Sequence, residues 1–136
     1  MHLHPYLHFN GCCEEAIEFY KSAVPAKVSF LMRFKESPEL PPGGANPAIA
    51  DKVLHATLTI GNSILQVSDG RCSGETKFDG FCLSISTPSE EEAKRIFASL
   101  SDGAKVFMPL GKTFFSPCFG MLTDKFGVSW MVIVQA

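Results

Sequence analysis

No apolar run in this sequence approaches the roughly 18 to 20 residues that cross a bilayer as a helix, and Met1 to Pro5 lacks the charged start and hydrophobic stretch of a secretion signal. The expected location is cytoplasmic, with no membrane partner. Charge of one sign is equally scarce. The 12 basic and 14 acidic residues are scattered and leave a net charge of −2, so there is no electrostatic footprint for nucleic acid. Paired C-x-x-C spacing is missing too. Cys12, Cys13, Cys72, Cys82 and Cys118 are odd in number and fit reduced thiols better than a disulfide framework or a thiolate zinc site. Nor does a Gly-rich loop follow an opening strand, as a nucleotide-like cofactor would usually require. A small molecule is the partner left standing.

What is present is a core. With 136 residues and 46% hydrophobic composition, the chain is long enough for one domain spanning 1–136 and too short for two of ordinary size. Tyr6 to Asn10, bounded by Pro5 and Gly11, reads as a short strand. A helix follows with Glu14 and Glu15 in its first turn and an apolar stripe of Ala16, Phe19, Tyr20 and Ala23, stopped by Pro25. Lys27 to Phe34 is a further strand. Residues 36–52, dense in Pro and Gly, form the one long loop, read as a lid or a flap. Val53 to Ile60 and Ser63 to Ser68 make a hairpin about Gly61-Asn62.

The order then repeats. Phe81 to Ser86 is a strand, Thr87 or Ser89 caps a helix running to Leu100, and Ala93, Ile96, Phe97 and Leu100 form its stripe. Gly103 ends the helix, and Lys105 to Pro109, Thr113 to Leu122 and Ser129 to Val134 supply three more strands. The chain is thus an α+β pair of βαβββ units, about 5–69 and 78–135, alike in element order and not in letters.

Three motifs carry a family resemblance: PYLHFNG near the start, AIEFY in the first helix, and TDKFGVSWM with VIV behind it, where Gly127 closes a tight turn before the last strand. With them the whole chain resembles the PhnB-like branch of the vicinal oxygen chelate superfamily, which contains glyoxalase I, bleomycin resistance proteins and extradiol dioxygenases. The resemblance implies curved mixed sheets around a cleft, a homodimer, and four strand positions that hold metal in the metal-dependent members. Carried across, these fall on Pro5, near Gln66, on Phe81 and on Met131. Only Gln66 offers an oxygen, so no metal and no cofactor are expected.

The resulting expectation is metal-independent binding of a small, partly apolar or aromatic molecule by Phe9, Gln66, Phe81 and Met131. The alternative is a divalent-metal lyase, isomerase or dioxygenase with His8 or His55 as ligands. A third possibility is a scaffold that interacts through the 36–52 loop. Strand parity sets His8 on the face opposite Pro5, Leu7 and Phe9, and Trp130, opposite in parity to Met131, belongs under a helix. Other residues have both bland and functional readings. Cys12 and Cys13 stand where a helix dipole lowers thiol pKa, and Cys82 and Cys118 read as small buried hydrophobes. Phe114, Phe115 and Phe119, with Phe9 and Phe81, form either a stacking wall or core. Arg33, Lys112 and Lys125 are solvated or steer an anion, and Asp124 serves its turn.

Overall fold

The helix stripes and strand alternations of the sequence become two compact units, Met1–Thr76 and Lys77–Ala136, in a computed structural model that describes residues 1–39, 47–70, 72 and 75–135. In the first unit, strand β1 (Tyr6–His8) leads into helix α1 (Cys13–Ala23). Strand β2 (Lys27–Arg33), a 3-10 turn at Phe34–Glu36, strand β3 (Val53–Ile60) and strand β4 (Ser63–Ser68) follow. Their sheet has the order β1-β4-β3-β2, with β1 parallel to β4 and the remaining pairs antiparallel. Part of the Pro/Gly loop, 40–46, lies outside the described residues, and so does any role for it as a lid.

Period-two alternation divides the two faces of this sheet. Leu7, Ala56, Leu58, Leu65 and Val67 are buried on one side. Phe9, in the same phase as Leu7 and 1% exposed, meets the ring of Tyr20 on α1 at 6.3 Å. That side is therefore the helix side, and α1 presents Cys13, Ala16, Ile17, Tyr20 and Ala23 as its buried residues. The helix lacks a side-chain cap of its own at Cys12. The cap comes from far along the chain. Buried Asp69, just past β4, accepts Gly11 N–H and Cys13 N–H on Oδ1 and Val53 N–H on Oδ2, each at 2.8 Å. One carboxylate thus ties the helix entry to the start of β3 and the end of β4.

The second unit repeats the plan. Strand β5 (Leu83–Thr87), helix α2 (Glu90–Leu100), strand β6 (Lys105–Gly111), strand β7 (Cys118–Thr123) and strand β8 (Ser129–Val134) form a sheet ordered β5-β8-β7-β6. Of the two cap candidates it is Ser89 that serves, accepting Glu92 N–H at 3.1 Å, with three glutamates in the first turn. The expected stripe of Ala93, Ile96, Phe97 and Leu100 is the buried one. It lies over a strand position that only Gly120 can fill, since a Cβ there would stand 2.7 Å from the Phe97 ring. The strand expected over Thr113 to Leu122 starts later, at Cys118. Thr113 and Ser116 instead close a turn in which Thr113 N–H donates to Ser116 O at 2.9 Å.

The hairpin between β7 and β8 is built on Asp124. Its Oδ1 accepts Phe126 N–H at 2.8 Å and Val128 N–H at 3.0 Å, while Gly127 takes φ +91°. Its Oδ2 reaches the indole N–H of Trp130 at 2.8 Å, so the turn also fixes the largest side chain of the core, itself 2% exposed. Removing Trp130 as Trp130→Ala is expected to cost about 3–5 kcal/mol in urea unfolding. Asp69→Ala strands three backbone donors and is expected to cost on the order of 3 kcal/mol in the same assay. A loss below about 1 kcal/mol for Asp69→Ala would mean that these donors are satisfied by water instead.

Candidate functional site

The sheet face turned away from α1 is where polar and aromatic side chains gather in the first unit. Strand pairing aligns Tyr6 with Gln66, Gln66 with Thr57, and Thr57 with Phe30, which places one residue from each strand in a single row. The next row runs through His8, Ser68, His55 and Met32, since His8 pairs Ser68 and His55 pairs Met32. Tyr6 leaves its own row. Its hydroxyl crosses β4 and lies 2.8 Å from His55 Nδ1, and His55 Nε2 lies 3.2 Å from the hydroxyl of Thr57. The residue of β4 beneath this diagonal is small Ser68, 3% exposed although it belongs to the open face.

Aromatic rings surround the same histidine. Tyr6 and Phe30 stand 5.4 and 5.9 Å from His55, and His8 stands 5.0 Å from Tyr6. Tyr6 and Phe30 remain 40% and 48% exposed, so the cluster is open to an arriving molecule. Burial pushes the Tyr6 phenol above its ordinary range, with a weaker pull downward from the Ser68 hydroxyl, so this group stays protonated at neutral pH. Among the described residues the face carries donors and acceptors without a carboxylate.

The second unit's open face has a different character. Met131 pairs with Ser84 on β5 and Met121 on β7, and Ile133 pairs with Ser86 and Phe119. Trp130, Val132 and Val134 are buried on the other side, as the parity of the strand requires. Met131 is half-buried on a face of methionine, isoleucine and serine.

Two expectations about facing need correction. Counting back from the first helix puts Pro5, Leu7 and Phe9 on the open side and His8 behind. The structure reverses this: Leu7 and Phe9 are core residues under α1, and Tyr6 and His8 share the open face with Gln66. The reason is the turn between strand and helix, where Asn10 and Gly11 take φ 51° and 120°, so residue parity counted through it has no force. Phe81 precedes β5, is 45% exposed and meets Phe78 edge-on at 6.4 Å. By pairing, the neighbour of Met131 on β5 is Ser84. Tyr6 and Phe30 carry no local signal in the sequence, because only the order β1-β4-β3-β2 and its register bring them to either side of His55 and Thr57 on β3.

The remaining candidates sort by contact. Arg33 clamps Glu14 with two hydrogen bonds of 2.6 and 3.1 Å, which lower the Glu14 carboxyl pKa. Lys125 faces Asp102 at 3.8 Å, and Lys112 is exposed. The thiols of Cys12 and Cys13 move opposite to the helix-dipole expectation, because burial, followed by nearby carboxylates, raises both. Cys118 is buried as expected, whereas Cys82 is half-buried. Phe119 is 5% exposed and touches Phe115, while Phe114 stands fully exposed.

Taken unit by unit, the paired strand positions are poor ligands for a hard divalent ion: Tyr6 and Gln66 present a phenol and an amide, Ser84 and Met131 a hydroxyl and a thioether, and hard ions prefer carboxylate or imidazole. Among the described residues no group of three or more His, Cys, Asp or Glu could hold a metal ion. The nearby carboxylate, Asp69, is committed to backbone N–H groups on the helix side.

Comparison with known proteins places these features in context. A family model described as 3-demethylubiquinone-9 3-methyltransferase matches residues 1–133. Protein YjdN of Escherichia coli K12 is 36% identical, covering 98% of this chain and 95% of its own length. The crystal structure of protein PA1353 from Pseudomonas aeruginosa is 37% identical with a TM-score of 0.85, covering 99% of this chain and 98% of that one. A structure from Bacillus cereus, titled a putative 3-demethylubiquinone-9 3-methyltransferase and PhnB protein, is 28% identical with a TM-score of 0.79, covering 98% and 99%. Glyoxalase/bleomycin resistance/dioxygenase structures match at 16% and 12% identity with TM-scores of 0.66 and 0.61, a likeness of fold alone.

The methyl donor implied by the family description would need an open strand-to-helix turn to receive it. At both described helix starts a side chain already accepts backbone N–H, Asp69 at α1 and Ser89 at α2. The sheets are mixed, with a single parallel pair each, instead of doubly wound.

The opposed facing of neighbours on β8 gives a direct check. Met131→Glu is expected to cost no more than about 1 kcal/mol in urea unfolding, as a charge that water can reach, far below the Trp130→Ala loss. Equal losses for the two variants would show Met131 to be enclosed.

Proposed function

The chain belongs to the family described as 3-demethylubiquinone-9 3-methyltransferase, the PhnB-like branch of the vicinal oxygen chelate superfamily, and on that premise we propose that it binds a small, partly apolar or aromatic molecule without a metal. The observation that carries this reading is the chain Tyr6–His55–Thr57, flanked by Phe30 on an exposed sheet face. Flat rings offer a stacking surface, and the hydroxyls and the Gln66 amide offer directional polar contacts. The second unit, taken by itself, has its own apolar surface in Met131, Phe119 and Ile133, with Phe81 exposed before β5. The five free thiols support a reducing compartment, the cytoplasm, as the place of action.

One observation favours the metal-dependent alternative: His8 and His55 stand in the same row of the open face. Against it, both ring nitrogens of His55 already engage hydroxyls. Elemental analysis of protein purified without added metal or chelator separates the two readings. Substoichiometric metal, together with a melting temperature raised by aromatic small molecules, is the expected result. A ligand at 100 times its dissociation constant stabilises by about 2.7 kcal/mol. Tyr6→Phe is expected to remove about 1 kcal/mol of that ligand's binding energy. Stoichiometric zinc, nickel, manganese or iron would sink the metal-free reading.

A homodimer forms part of the same proposal. Strand β6 is an edge of its sheet and exposes Val106, Phe107 and Met108 at 42%, 62% and 43%. An apolar edge of this kind invites a second chain. Sedimentation equilibrium at micromolar concentration is expected to return twice the chain mass of 14.8 kDa, and a monomer would remove dimerisation from the account.

A further inference from the structure

The hydrogen-bond chain through His55 has a property that depends on how many protons the imidazole holds. Hydroxyls at 2.8 Å from Nδ1 and 3.2 Å from Nε2 engage both ring nitrogens. A neutral imidazole donates from one nitrogen and accepts at the other. One hydroxyl must then spend its proton on the ring, and only the other can donate outward. When the ring gains a second proton, both nitrogens donate. The oxygens of Tyr6 and Thr57 both become acceptors, and both of their O–H groups are released toward solvent. Protonation thus converts one outward donor into two and adds a positive charge between them.

We infer that Tyr6, His55 and Thr57 form a proton-gated receptor for an aromatic oxyanion, a carboxylate or an enolate on a flat ring, taken up together with one proton on His55. The inference rests on the proposed binding role of this face and names the chemical class of its ligand. The rings of Tyr6 and Phe30, 5.4 and 5.9 Å from His55, supply the surface for the ligand's apolar part. Burial holds the Tyr6 phenol protonated, so it remains a donor. The groups facing His55 are Tyr6 and His8 from β1, Phe30 and Met32 from β2, Gln66 and Ser68 from β4, and Thr57 from its own strand. His8 is the other imidazole among them. Lys27, paired with Thr59, lies two rows farther along the face. Among the described residues no carboxylate stands on this face to neutralise a protonated His55, so the counter-charge arrives with the ligand.

The sign follows from this coupling. An anion that prefers the protonated ring binds more tightly at low pH, where the imidazole holds its second proton, and loses affinity as pH rises and that proton leaves. By reciprocity it raises the His55 pKa by the same factor.

The test uses full-length protein with benzoate, ionised throughout pH 5.5 to 8, and neutral benzamide as its isostere. Calorimetry is expected to show benzoate binding about tenfold more tightly at pH 5.5 than at pH 8, with benzamide unchanged. Saturating benzoate is expected to raise the His55 pKa by about one unit in an NMR titration, since tenfold coupling equals one unit. His55→Gln keeps partners for both hydroxyls without a titrating proton and should abolish the pH dependence. Tyr6→Phe and Thr57→Val should each weaken benzoate more than benzamide, while His8→Gln should leave the pH dependence intact. Binding of benzamide with no gain for benzoate at low pH overturns the inference and leaves the binding role standing. Dependence that survives His55→Gln, or vanishes with His8→Gln, overturns the assignment to His55. If neither compound perturbs this face at millimolar concentration, both readings fall for aromatic ligands of this size.

Discussion

A single buried carboxylate is the constraint on which the first unit depends. Asp69 accepts three backbone N–H groups from two places far apart in sequence, the entry to α1 and the start of β3. A carboxylate with 1% exposure would be costly alone, but three donors at 2.8 Å replace the water it has lost. Helix and sheet are thereby held in one relation, and the alternation of each strand then has a defined helix side and open side. The placement of Tyr6, His55 and Gln66 on the open side follows from that division.

The second unit solves the same problem with different residues. Its helix is capped locally by Ser89, so its buried carboxylate is free for another task. Asp124 organises the β7–β8 turn and holds the Trp130 indole. Fixing Trp130 on the helix side fixes Met131 on the other, because neighbours on a strand point to opposite faces. Each unit thus binds a buried carboxylate to backbone or indole N–H, and among the described residues the paired strand positions carry hydroxyl, amide and imidazole on the first open face and hydroxyl and thioether on the second.

The open faces also differ in what they can recognise. Tyr6, His8, His55, Thr57 and Gln66 make the first polar and aromatic, and Met121, Met131, Ile133 and Phe119 make the second apolar with polarizable sulfur. The family description names a methyltransferase, yet the start of each helix, where a donor of that kind would be received, is already filled by the protein's own side chains.

Composition and periodicity by themselves determined the element order. The repeat of βαβββ, the hairpin at Gly61-Asn62, the α2 stripe and the last strand were all legible, because apolar spacing of two or three to four residues is a local property that burial then enforces. The roles of Ser89 and Asp124 in capping and turning were equally local. What only the tertiary structure decided is which face of β1 is open and which residues meet there. Parity cannot be carried through the Asn10–Gly11 turn, so Phe9 belongs to the core and His8 to the surface, contrary to counting. Tyr6 and His55 are 49 residues apart and touch only because β1 and β3 flank β4 in register with small Ser68 beneath. Asp69 likewise reads as one more polar residue after a strand until three distant N–H groups converge on it. Local patterns are written in neighbouring letters, whereas a hydrogen bond across a sheet depends on strand order and register, which no short stretch of sequence contains.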